Sequence, residues 1–177
     1  MEHPHPWPYG SATDCIAQLE KEGQPWAVAR YPVSARGISD EARYFYEVIL
    51  FQTYEADDPV NACVFRAPEF RELRAAYGLR AVHKSNYGAI YARDNGLRNL
   101  MLRFHKGRRP YECIMSAARS SWQAAANAVN GMQEGPEREA WRQRRDLLRE
   151  DIAFAQDELN NYDRTFIEKN NLIIYKF

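Results

Sequence analysis

The chain has 177 residues, of which 45 % are hydrophobic and 13 % aromatic. That is enough to bury a core without disulfide or metal staples and too apolar for a disordered segment. Lys and Arg total 24 and balance 24 Asp and Glu, which excludes an acidic nucleic-acid mimic and a wholly basic nucleic-acid coat. No apolar run exceeds four residues, so neither a membrane-spanning helix nor a signal-peptide core is expected.

Residues 1–10 carry three prolines and two histidines and are expected to form an extended leader. A short helix follows, capped by Ser11 or Thr13 and ended by Gly23, with Ile16 and Leu19 facing inward. Three strands are then expected, over 26–33, 43–54 and 60–66, as an antiparallel meander. Pro68 opens a second helix through Tyr77, closed by Gly78. A short strand is expected over 79–83, a helix from Ser85 to about Asp94, a strand over 97–105 and an exposed turn over 106–110.

The strongest periodicity lies beyond Pro110. Tyr111, Met115, Ala118, Trp122, Ala125, Val129 and Met132 recur at alternating steps of four and three. A second seam follows Pro136: Trp141, Arg145, Leu148, Ile152, Ala155, Leu159, Tyr162 and Phe166. Two such seams around a Gly-bounded loop predict an antiparallel helical hairpin over 110–168. A stripe of small residues on its first arm (Ile114, Ala117, Ser121, Ala124, Ala128) predicts an arm buried between the second arm and the sheet. Leu172 to Tyr175 read as a strand returning to that sheet. The whole is expected as a leader over 1–10 and one α+β domain over 11–177, with an antiparallel sheet, short helices and the long C-terminal hairpin.

The neutral total hides segregated charge. Between residues 66 and 111 eleven bases stand against Glu69, Glu72 and Asp94. Acids dominate 40–58 and 150–168, six against one Arg in each. The second hairpin arm is basic first (Arg138, Arg142, Arg144, Arg145, Arg149) and acidic later. That order opposes the helix macrodipole, so local helix stability does not explain it. The plainer reading is a wet face decorated with i,i+4 pairs such as Arg142 with Asp146.

Catalytic signatures are missing: no GxGxxG, GxxxxGK, GxSxG or HExxH occurs. Cys15, Cys63 and Cys113 are odd in number and scattered, which argues against a disulfide framework or a zinc site and for a reducing, cytoplasmic setting. His3 occupies the third position, where an N-terminal amine, two amides and an imidazole can hold copper or nickel, with His5 close by. The acidic turn at 55–58 lacks the glycine and distal glutamate of a calcium loop and reads as solvated. No metal, cofactor or catalytic residue is expected from these features.

His83-Lys84-Ser85, followed by the expected helix and Asn95-Gly96-Leu97, resembles over about fifteen residues the strand–helix–Gly-Leu segment of some ADP-ribosyltransferases. The resemblance implies a small transferase using His83 and Ser85, but the later tyrosine and glutamate of that family have no placed counterpart. The expectation set first is a non-enzymatic binding protein: an inhibitor, adaptor or assembly subunit. Its partner is expected to be a protein with an acidic surface, met by Arg98, Arg103, His105, Lys106, Arg108, Arg109, Arg138, Arg142 and Arg145. Reversing Arg108 and Arg109 should then weaken capture without moving the melting temperature. The alternative is direct nucleic-acid binding by the same basic and aromatic surface. It ranks second because nucleic-acid domains usually have a pI above 9, against about 6.9 here.

Overall fold

The computed structural model describes residues 11–33, 42–51, 64–86 and 88–175. The expected leader with His3 and His5, the acidic turn at 55–58 and Cys63 lie outside the described residues. Two compact units share the chain: Met1–Leu102 with Asn171–Phe177, and Arg103–Asn170.

The first unit opens with α1 (Ala12–Lys21), whose Ser11 side chain accepts the Asp14 N–H at 3.1 Å. Such a cap contributes about 1 kcal/mol. Gly23 reverses the chain at φ 65°, in the left-handed region where glycine carries no Cβ penalty. The strands β1 (Trp26–Pro32), β2 (Tyr44–Leu50) and β3 (Val64–Phe65) form the expected antiparallel meander. Helix α2 (Ala67–Tyr77) begins with Pro68 in its first turn and ends on Gly78 at φ 62°. After it, β4 (Arg80–Ser85) and β5 (Gly88–Ala92) make a hairpin that joins β1 through β5. Among the described residues the sheet has five strands in the order β3-β2-β1-β5-β4, every pair antiparallel.

Side chains alternate across this sheet. Val28 faces Val48 and Tyr91 across the ladders, and all three are buried. The same core takes in Ile16 and Leu19 of α1 and Phe70 and Leu73 of α2. Phe70 stacks on Tyr46 at 4.2 Å and meets Tyr91 edge-on at 4.9 Å. Burying an aliphatic or aromatic side chain of this size contributes roughly 1.5–3 kcal/mol, so this layer of rings and branched residues holds the unit together.

The end of the chain returns to the first unit, as expected, but by side chains more than by a strand. Ile174 alone makes a bridge, while Leu172 and Tyr175 are buried. The buried Gln24 amide links it: the Ile173 N–H donates to Oε1 at 2.8 Å, and Nε2 donates to the Asn171 carbonyl at 3.0 Å. The Tyr175 hydroxyl donates to Glu22 Oε2 at 2.6 Å. Burial, with the bond to Glu22, pushes the Tyr175 phenol far above its ordinary range.

Two stretches differ from the sequence expectation. The expected helix from Ser85 to about Asp94 is not formed by the described residues: Ser85 pairs with Gly88, and Ala89–Tyr91 pair with Val28–Arg30. The ladder on β1 outweighs a weak helix-capping signal. Residues 97–105 are not a strand and 106–110 are not a turn; both belong to α3 (Gly96–Gly131). Asp94 accepts the Gly96 N–H at 2.8 Å at its start, and Pro110 lies inside it. A proline there leaves the Lys106 carbonyl without its helical donor, a cost this helix carries within its length.

The second unit is the helical hairpin, formed by α3 from Arg103 onward and α4 (Pro136–Lys169). Its seams are the expected ones. Met115, Ala125 and Val129 of α3 and Ala155 and Leu159 of α4 are buried, and the other seam positions are half-buried. The small-residue stripe is not buried. Ile114 is 60 % exposed, and Ala117, Ser121 and Ala124 are exposed. Small side chains at those positions simply cover little of the helix, so apolar character there did not mean burial.

Candidate functional site

The basic residues of α3 divide by the face they occupy. Phe104 and Arg108 continue the seam of the hairpin from Tyr111 upstream past Pro110, and Arg108 is only 8 % exposed. Its Nε donates to Asp163 Oδ1 at 2.9 Å and an Nη to Oδ2 at 3.3 Å. The other Nη pairs with Glu112, one helical turn on. Burial works against the Arg108 charge, but the bonds to both carboxylates outweigh it and hold the guanidinium above its ordinary value. Arg108 is therefore an internal tie of the hairpin.

Arg103, His105, Lys106 and Arg109 are exposed on the other side of α3. Arg103, Lys106 and Arg109 make no ion pair among the described residues. Arg98, also exposed on α3, belongs to the first unit.

The arginines of α4 lie near the other end of the hairpin. Arg138 pairs with Glu134 and donates from Nε to the Val129 carbonyl at 3.0 Å. Arg142 bonds Glu139 at 2.7 Å, and Arg145 bonds Asp146 at 3.0 Å. The expected pair of Arg142 with Asp146 is not the one formed. Arg108 and Val129 are 21 residues apart on one helix, about 30 Å. The nine expected contact residues thus fall into separate groups, and Arg108, Arg138, Arg142 and Arg145 are already held by this chain's own carboxylates.

The residues that sequence reasoning missed are the partners. Glu112 carries an i,i+4 signal, legible only once 106–110 is helical. Asp163 carries none, because its approach to Arg108 is set by the hairpin register. Tyr162 beside it donates to the Phe104 carbonyl at 2.9 Å and lies against Gly107, where a Cβ would collide with the phenol oxygen.

The first unit holds a cavity of about 310 Å³ lined by Glu20, Gln24, Trp26, Arg93, Asp94 and Leu97 among others. Two of its charges satisfy each other. Arg93 grips Glu20 through bonds of 2.5 and 3.0 Å, and the Trp26 indole donates to the same carboxylate at 2.5 Å. His83 is exposed on β4 and does not line this cavity. The segment after Ser85 is a strand, so the strand–helix order behind the ADP-ribosyltransferase resemblance is not present.

Among the described residues no group of three or more His, Cys, Asp or Glu is placed to hold a metal ion, and no helix is long and apolar enough to cross a membrane. Cys15 is buried and Cys113 exposed, both as free thiols. No family model, curated protein or solved structure matches the chain.

Proposed function

We propose that this chain is a non-enzymatic binding protein whose α3 meets an acidic protein surface through Arg103, Lys106 and Arg109, with His105 beside them. One observation carries the reading: among the described residues these exposed cations have no carboxylate partner, while the neighbouring Arg108 is buried and paired. Unpaired exposed charge contributes little to folding and much to association rate and partner choice. The acids of the chain offer an internal alternative, yet among the described residues those that engage this segment pair with Arg108 and with none of Arg103, Lys106 and Arg109.

The test uses Arg103→Glu, Lys106→Glu and Arg109→Glu together, leaving Arg108 intact because its reversal would break the hairpin. Capture from native lysate followed by mass spectrometry should return a partner with wild type and lose it with the triple variant, at an almost unchanged melting temperature. Equal capture by both proteins would overturn the assignment. Loss of the captured material on nuclease treatment, with a steep salt dependence, would transfer the surface to nucleic acid instead.

A further inference from the structure

We propose that Arg30 and Arg74 bind a phosphate group, free or as a monoester, at the end of the sheet face framed by Tyr44 and Tyr91. Arg30 is a cation among apolar neighbours: on β1 it shares one face of the sheet with Val28, Tyr46 and Val48, all three buried. Its guanidinium lies over the Tyr44 ring at 4.4 Å and 5.5 Å from the centre of the Tyr91 ring. Arg74 reaches the same Tyr91 ring from α2, also at 5.5 Å. On β5 the residue opposite Arg30 is Ala89, whose methyl leaves room beside the guanidinium.

Neither arginine makes a hydrogen bond or an ion pair among the described residues. For Arg30 exposure is not the reason, because its Nε is buried and still has no partner. A buried donor without an acceptor costs folding free energy, and a leucine or methionine would cover the same rings without that cost. Stacking does not use up the guanidinium. A ring occupies its flat face, while its N–H donors lie in the plane and point past the ring. The side chain as a whole is half-buried, so the outer Nη edge is the part a ligand reaches. Arg74 is exposed and long enough to swing toward the same point.

The donors select the ligand. Two cations without counter-charge call for an anion of about two charges, and the phenols of Tyr44 and Tyr46 beside Arg30 add hydroxyls that have no partner among the described residues. A carboxylate brings a single charge. A phosphate group brings about −1.5 to −2 and three acceptor oxygens, which arginine forks match two bonds at a time. Burial raises the Tyr46 phenol, and Arg30 and Arg71 pull it the other way, so Arg71 strengthens the positive field here. Glu47, the acid beside Tyr46 on β2, projects from the opposite face of the sheet. All these residues belong to the first unit, so the inference stands apart from the reading of α3.

Isothermal titration of the full chain with inorganic phosphate and with phenyl phosphate, in chloride buffer of constant ionic strength, should show saturable binding. Arg74→Gln should weaken it at least about tenfold and leave the melting temperature without phosphate unchanged, because Arg74 is exposed. Arg30→Gln should weaken it as much; where that variant fails to fold, Arg74→Gln decides. Affinity should fall as pH drops through about 6, where a phosphate monoester loses its second charge and the arginines keep theirs. Tighter binding of phenyl phosphate would assign the site to an esterified phosphate, and tighter binding of inorganic phosphate to the free ion. No saturable binding of either ligand, or binding indifferent to Arg74→Gln, would overturn the inference. Binding lost instead from the variant carrying Arg103→Glu, Lys106→Glu and Arg109→Glu would overturn it too, by moving the phosphate to α3.

Discussion

Arg108 and Asp163 pair through two hydrogen bonds across the helical hairpin, 55 residues apart in sequence, with side chains only 10 % and 15 % exposed. A guanidinium fork on a carboxylate fixes both the axial register and the rotation of the two helices. The pair sits where the seams are richest in rings: Tyr111 lies 5.5 Å and Phe104 5.9 Å from Tyr162 between ring centres.

Removing one partner of this pair should therefore cost far more than removing an exposed base. Asp163→Ala leaves a buried cation with only Glu112, and should destabilise the protein by about 3 kcal/mol. Arg109→Ala, one residue from Arg108 but in solvent, should fall within about 0.5 kcal/mol of wild type. Urea denaturation of the two variants checks the contrast; equal losses would show that the pair does not hold the hairpin.

Gly107 makes the next prediction. Glycine inside a helix costs about 1 kcal/mol relative to alanine, so Gly107→Ala ought to stabilise α3. Here the added Cβ runs into the Tyr162 phenol and breaks its bond to the Phe104 carbonyl. The expected net effect is a loss of about 1–3 kcal/mol, typical of overpacking. In a Tyr162→Phe background the same substitution should cost less, a non-additivity that a double-mutant cycle reads directly.

Gly88 should be less forgiving. A Cβ at this position meets the Arg30 carbonyl oxygen, a backbone atom of the adjacent strand β1. Neither backbone can swing away as a side chain would. Gly88→Ala should lower the melting temperature, while Asn86→Ala at the neighbouring exposed turn should move it little. Thermal unfolding of both variants decides this.

Glu47 supplies a dependence on pH. Burial on β2 raises its carboxyl above the ordinary value of 4.5. The folded protein therefore holds this proton more tightly than the unfolded chain. The associated stability is present below about pH 4.5 and is lost as pH rises through the folded pKa. Glu47→Gln should stabilise the protein at neutral pH, and the gain should vanish in acid. A gain that persists unchanged below pH 4.5 would show that ionisation is not its source.

Much of this architecture is legible in the sequence because local signals and tertiary packing agree. Ser11 caps where it should, Gly23 and Gly78 stop their helices, and the two heptad seams give the hairpin directly. The failures have a common origin. Gly107 and Pro110 read as a turn, yet Phe104, Arg108 and Tyr111 keep the helical step across them. Ser85 looked like a cap, yet Ala89, Ile90 and Tyr91 carry the alternation of a strand, and β1 provides its ladder. The basic patch was half legible. Composition reveals how many cations there are, but only the register of the hairpin decides that Asp163 takes Arg108 and leaves Arg109 to solvent.

The clamp on Gln24 orders events during synthesis. Residues 11 to 102 leave the ribosome long before Asn171, Leu172, Ile173 and Tyr175, which finish the same core. The hairpin's own compact unit ends at Asn170. The earlier-made portion therefore waits with Gln24 and the underside of α1 uncovered until the final residues emerge, which reverses the usual rule that what is translated first is completed first.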